Sequence, residues 1–310
     1  MKPNLTSLHR DLLVNGADIA RANADTKADR KAVDAAVAVM SDDVGTLGIS
    51  HAGFAMTSLP HRKVPKGTTL WERRNGPITL LVEPGRLPGG GYAEIPAGAH
   101  ARMILLYLQT MAVRTRSRRV ELGRSMNAWL SRMGLTIGGK TYRMVNEQVQ
   151  ALSAARLTFL WKVREADARL NGSFIDRSVL FGDDPDQPAI WNDEVTLNEH
   201  FYQSLIDHSV PLLESALRQL TSSSMAIDVY IWLAYRLHAL RESTLVPWPA
   251  LHDQFGQGYA RLRDFRAHFL EVLKLSLAVY PGADLEVTKE GVILRRSPPP
   301  VAAREIHRLG

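Results

Sequence analysis

One stretch of the chain has residues of the right types and spacing to act on a nucleotide. Gly134-Leu-Thr-Ile-Gly-Gly-Lys-Thr141 satisfies G-x-x-x-x-G-K-[ST], with Gly134, Gly139, Lys140 and Thr141 in register. Hung from the end of a strand, such a loop wraps phosphate in backbone N–H groups, reaches it with the lysine and gives its hydroxyl to Mg2+. Other chemical candidates are weaker. Asp183-Asp184 has the look of a metal-binding acidic pair but runs into Pro185, which reads as a turn. The ten histidines form neither H-x-H nor H-E-x-x-H, and the absence of cysteine removes disulfides, thiolate metal sites and sulfur nucleophiles together. The expectation is a protein that is not an enzyme and carries no cofactor and no metal.

What precedes the loop separates a nucleotide hydrolase from a protein that holds the phosphates of something larger. A phosphate loop must follow a buried strand. Residues 124–133 instead offer Ser125 as an N-cap and Trp129, Leu130 and Met133 at helical spacing. After the turn, Tyr142, Val145, Val149 and Leu152 recur on one apolar face of a second helix. Lys140, Thr141, Arg143, Met144, Glu147 and Gln148 are then expected to face away, near a helix N-terminus where phosphate is favoured. Two helices joined by a glycine-bearing turn, the second cationic at its start, describe a helix-turn-helix with a recognition helix.

Charge is distributed accordingly. The net formal charge is +6, yet His100 to Arg164 alone holds 12 Lys and Arg against 2 acids, and Glu165 to Asp228 holds 3 against 12. A concentrated cationic segment beside an acidic one suits a polyanion-binding surface better than a uniformly basic protein. With 45% hydrophobic and 23% charged residues, 310 positions suffice for two domains, each with its own core. No apolar run reaches the length of a membrane span, and the N-terminus lacks the apolar region of a signal peptide, so a cytoplasmic protein without a membrane partner is expected.

Taken in order, residues 1–47 read as an arm of marginal helices. Ile78-Thr-Leu-Leu-Val82, bounded by Pro77 and Pro84, reads as a buried strand, and Ala99 to Arg114 as a strongly apolar helix. The cationic run Arg114 to Arg119 and a short strand at Val120 lead to the helix pair. Leu157–Val163 and Ser173–Phe181, around Asn171-Gly172, read as a hairpin. Helix, strand, helix, recognition helix and hairpin make a winged helix with the hairpin as its wing. The order recurs: a helix over 222–240, a strand at Leu245, a short helix over 249–255, a turn at Gly256 to Gly258, a helix to about Tyr280 and a hairpin over 284–296. On the second recognition helix Leu262, Phe265, Phe269, Val272 and Leu273 form the apolar stripe. Trp161, Trp191 and Trp232 are expected in the core, whereas His61 and Trp71 either touch DNA or pack.

The segments Gly53 to Arg62, Trp71 to Gly85, Arg102 to Thr110, Val120 to Met126, Gly138 to Arg143 and Asp228 to Arg236, in this order, resemble plasmid-encoded replication initiator proteins of the RepA type. The resemblance begins at about residue 48. It implies sequence-specific binding to repeated sites, or iterons, in a plasmid origin, local duplex opening, recruitment of host replication initiator and helicase proteins, and repression of the protein's own promoter. It also implies a homodimer in equilibrium with monomer, and it places Lys140 to Arg143 in the first recognition helix.

The combined expectation is a helix-rich α+β fold of two tandem winged-helix domains, 48–194 and 195–310, with an N-terminal extension. Double-stranded DNA is expected to meet Arg114, Arg116, Arg118, Arg119 and Arg124 on the cationic connection, and Lys140, Thr141, Arg143, Met144, Glu147 and Gln148 on the first recognition helix. Lys162 follows on the next strand. In the second domain the contacts are Tyr259, Arg261, Arg263, Arg266 and Lys274, with Lys289, Arg295 and Arg296 on the hairpin. Ile78 to Val82 with the apolar excess over Met103 to Val113 is expected to pair between subunits. A plain winged-helix transcriptional repressor and a phosphate-loop ATPase are the alternative readings.

Overall fold

The weakly patterned start of the chain is helical in the computed structural model, which describes residues 7–87, 89–123, 125–163, 166–179 and 194–301. Helices α1 (Ser7–Asn15), α2 (Ala17–Ala22) and α3 (Lys27–Met40) follow one another. A capping box starts α3: the Thr26 hydroxyl accepts from the Asp29 N–H and the Asp29 carboxylate from the Thr26 N–H. Ala32, Val33, Ala35, Ala36 and Val39 are buried on its inner face. The segment expected as an arm is therefore packed. Met1–Gly48 and Val210–Gly310 form one compact unit and Ile49–Ser209 the other, so the expected division at 194/195 falls inside the second.

In the unit 49–209, after β1 (Leu47–His51) and α4 (Ala52–Met56), come β2 (Trp71–Asn75), β3 (Ile78–Glu83), α5 (Gly98–Thr115), β4 (Arg119–Glu121), α6 (Met126–Arg132) and α7 (Gly139–Ala154). Strands β5 (Arg156–Val163), β6 (Ala166–Ser173), β7 (Ile175–Val179) and β8 (Glu194–Leu197) and helix α8 (Glu199–Asp207) complete it. Helix α5 is apolar on nearly every face, which requires burial on several sides, and Ala101 to Leu106, Leu108 and Ala112 are all buried.

One antiparallel sheet runs β2-β3-β5-β6, the other β4-β8-β7. Ile78, Leu80 and Val82 point inward from β3, whose two edges pair with β2 and β5. The surface expected to join subunits through Ile78 to Val82 and Met103 to Val113 is thus largely internal to this unit. The expected wing is corrected too. Val163 pairs with Ala166, so the β5–β6 hairpin closes there and Asn171-Gly172 lies within β6, opposite Thr158 and Leu157. The turn signal of Asn-Gly yields because β5 is registered on β3, with Leu157 and Phe159 directed into the core. The wing strands are β7 and β8, and Asp183, Asp184 and Trp191 between them lie outside the described residues.

In the other unit β9 (Ser209–Leu213), α9 (Glu214–Leu220), α10 (Ser224–Leu237), β10 (Thr244–Pro247), α11 (Trp248–Phe255), α12 (Leu262–Ala278), β11 (Leu285–Val287) and β12 (Gly291–Leu294) follow in order. Their sheet runs β10-β12-β11. Both units therefore hold a winged helix with the last strand between the first and second: β4-β8-β7 in one, β10-β12-β11 in the other. Trp232, Phe255, Phe265 and Phe269 fill the second core, with rings 5.2–5.6 Å apart. Leu262, expected in that stripe, is 41% exposed because it starts α12 ahead of the sheet and helices that cover the rest. No described helix is long and apolar enough to cross a membrane.

Candidate nucleic-acid interface

The first recognition helix is built by the turn before it. Ser125 caps α6 by accepting from the Ala128 N–H, and α6 ends at Met133. Gly134 takes a left-handed φ of 69°, which a side chain would strain, and the Leu135 N–H returns to the Leu130 carbonyl. Met133 and Leu135 are buried while Thr136 and Ile137 face solvent. The residues before Lys140 are thus a helix and a turn, not the strand a phosphate loop hangs from. No side chain caps α7 at Gly138, so the first N–H groups of the helix are left for an anion, beside the exposed Lys140 and Arg143. Thr141 and Met144 flank them, half-buried.

The buried face of α7 is wider than the apolar pattern indicates. Gln148 is buried with Val145, Val149, Ala151 and Leu152, and its Oε1 accepts from the Ala97 N–H at 2.8 Å, at the start of α5. It joins two helices and does not face a ligand, contrary to expectation: the amide hydrogen-bonds a backbone group that would otherwise be orphaned. Glu147 is outward but engaged. Its carboxylate meets Lys63 at 2.9 Å, and Lys63 also meets Glu94 at 3.0 Å. This pairing holds Glu147 below the usual carboxylate range and raises Lys63. Gln150, absent from the expected contacts, is exposed, and the Asn146 Oδ1 near it is covered without a hydrogen bond among the described residues. A helical wheel centred on Val145, Val149 and Leu152 is the signal that would have placed Gln150 outward.

The second recognition helix also starts without a side-chain cap, at Arg261. Arg261 and Arg263, 71% and 81% exposed, both reach Asp264, at 2.8 and 3.5 Å. Tyr259 stacks on His268 at 5.7 Å and meets Phe265 edge-on. Arg266 lies over the Trp248 ring at 4.6 Å and donates to the Thr288 and Lys289 carbonyls, so it ties α12 to the turn of the wing. Lys274 is corrected as well: its ammonium pairs with Asp29 on α3, which occupies it within the unit. Lys289 and Arg296 are exposed, whereas Arg295 pairs with Asp284 and Glu286 across its own hairpin.

Residues 95–249, half of the chain, match the family model for the plasmid-encoded RepA protein. The chain belongs to the plasmid-encoded RepA family. Membership carries the broad role in plasmid replication initiation that the resemblance implied. Among solved structures, a selenomethionine crystal structure of domains 2 and 3 of RctB is 12% identical, with a TM-score of 0.52, covering 81% of this chain and 97% of that one. A second structure of RctB domains 2–3 is 10% identical, with a TM-score of 0.49, over 77% and 93% of the two chains. The first is a likeness of fold. No curated protein matches.

The RepA-family match runs through the first winged helix and ends in α11, ahead of α12. Within it the cationic connection splits. Arg114 and Arg116 are exposed, the latter in a left-handed turn at the end of α5. Arg118 meets Asp176 at 3.0 Å and Glu199 at 3.2 Å, and Arg119 grips Glu194 through two bonds of 3.0 Å. These two guanidiniums fasten β4 to its neighbours, because pairing β8 on β4 brings the acidic stretch against the basic one. Arg124 and the side chain of Lys162 lie outside the described residues. Trp71 packs, buried, with its N–H on the Ser58 carbonyl, while His61 is half-exposed beside Arg102. Among the described residues no cluster of three His, Asp or Glu could hold a metal.

Proposed function

We propose that this RepA-family chain binds repeated sequences in double-stranded plasmid origin DNA through α7 and α12, helps open the adjacent duplex and recruits host replication initiator and helicase proteins. By occupying its own promoter it represses its synthesis, and monomer and homodimer exchange in the bacterial cytoplasm. The observation that carries this reading is the repeated winged helix, with one strand order in both units and each recognition helix beginning uncapped beside exposed cations, Lys140 and Arg143 on α7 and Arg261 and Arg263 on α12. Such an N-terminus favours phosphate, and the helix behind it can enter the major groove. The turn between α6 and α7 supports binding without nucleotide hydrolysis.

Footprinting the full chain on plasmid origin DNA tests this. Protection of the origin repeats is expected, with Arg143→Ala and Arg263→Ala each costing roughly 1–3 kcal/mol on the specific site. Protection of promoter DNA alone would favour a plain repressor. A melting-temperature rise with Mg-ATP that disappears in Lys140→Ala would restore the phosphate loop, since a ligand of the native state must stabilise it.

A further inference from the structure

Helix α7 presents an uncharged reader that its cations do not account for. An α-helix turns about 100° per residue, so positions seven apart return to within roughly 20° of each other. Gln150 therefore stands on the same stripe as Arg143, and both are exposed, while Val145, Gln148, Val149 and Leu152 are buried on the other side. The Gln150 backbone carbonyl accepts from Ser153 Oγ, but its side-chain amide makes no hydrogen bond among the described residues. Glu147, between the two, is held by Lys63. A free carboxamide in line with a guanidinium is the chemistry that reads purine edges. The amide accepts from adenine N6–H and donates to N7; the guanidinium donates twice to guanine O6 and N7.

We propose that Gln150 is a specificity-determining residue of the first recognition helix that reads adenine, with Arg143 reading a guanine about three base pairs away. The spacing follows from the helix. With the helix lying along the groove, seven residues at 1.5 Å carry Gln150 about 10.5 Å beyond Arg143, about three steps of 3.4 Å along the duplex. The inference rests on reading α7 as a DNA-recognition helix.

The test is selection by the full chain from a duplex library randomised over about 20 base pairs, using wild type, Gln150→Ala, Gln150→Glu and Arg143→Ala. Wild type should enrich a site in which Gln150→Ala relaxes one adenine and Arg143→Ala relaxes one guanine about three pairs away. Gln150→Ala should bind that site about 5- to 150-fold more weakly. Replacing the adenine with 7-deazaadenine, which lacks N7, should weaken wild type and leave Gln150→Ala unchanged. Gln150→Glu should shift the preference toward cytosine, whose N4–H a carboxylate accepts. Unchanged selection by Gln150→Ala, or a loss spread equally over all sequences, would overturn the assignment while leaving DNA binding intact. Enrichment of no sequence by wild type would overturn the recognition-helix reading and this inference with it.

Discussion

Gln148→Ala separates structure from recognition on α7, because the sequence places Gln148 among the DNA contacts and the fold buries it. Its Oε1 accepts from the Ala97 N–H, and Ala97 is itself only 5% exposed. Truncation leaves that N–H without its partner in a place water reaches poorly, a penalty of roughly 1–3 kcal/mol. For a unit of this size each kcal/mol moves the midpoint by about 2–4 °C, so the transition of residues 49–209 should fall by several degrees. Affinity for origin DNA, measured well below that transition, should stay within about twofold, because the side chain never reaches the outer face. Calorimetric melting and a binding titration at low temperature read the two effects separately. A variant that melts like wild type yet loses DNA affinity would mean that Gln148 turns outward on binding, and would refute the packing assigned to α7.

His51 is buried, its Nδ1 accepting from the Gly53 N–H and its other ring nitrogen against Ser204, and burial pushes its pKa down to about 3. Between that value and the ordinary 6.5 the unfolded chain binds the extra proton. Stability should therefore fall as pH drops through this window, by at most about 1.4 kcal/mol per unit, and His51→Gln should flatten this part of the profile. Asp29 is held below the usual carboxylate range chiefly by Lys274, so their pair stabilises above about pH 4 and fades as acid protonates Asp29. Lys274→Ala should cost roughly 0.5–1 kcal/mol at neutral pH, remove that acid sensitivity and leave DNA affinity unchanged; equal stability with weaker binding would return Lys274 to the DNA contacts.

The two recognition helices were legible because each joins a strong apolar stripe to a glycine turn: Val145, Val149 and Leu152 after Gly134, Phe265, Phe269 and Leu273 after Gly258. The N-terminal helices were legible only as marginal ones, and their packing was not. Ala32, Ala35 and Ala36 bury little area each, so a face made of them scarcely differs in hydropathy from its surroundings, although it packs closely. Asn171-Gly172 misled for a different reason. A turn dipeptide is a local preference, and the pairing of Ile78 to Glu83 with Arg156 to Trp161 is a long-range one that fixes the register of everything hydrogen-bonded beyond it. Gln148 and Gln150 are alike by type. Only the width of the buried face, set by the approach of α5, decides which amide packs and which is left at the surface.

The same long-range pairing changes the electrostatics, and with it the expected salt dependence. Along the chain the basic and acidic stretches are neighbours in sequence; in the fold they interleave, since β8 lies on β4. Arg118 and Arg119 are thereby engaged by Asp176, Glu199 and Glu194, and in the other unit Lys274 and Arg295 are engaged by Asp29, Asp284 and Glu286. Ten phosphate contacts would give a log-affinity against log-salt slope of about −9. Withdrawing these four cations brings the count near six and the slope near −5. Titration on one origin repeat between about 50 and 200 mM salt measures it. A slope steeper than about −8 would require the ion pairs to open and their cations to meet phosphate. Glu194→Gln then distinguishes the two states of Arg119. If Arg119 is a fastening, the variant loses stability and keeps the wild-type slope. If Arg119 swings to the backbone of DNA, the variant binds every sequence more tightly, because no carboxylate has to be displaced first.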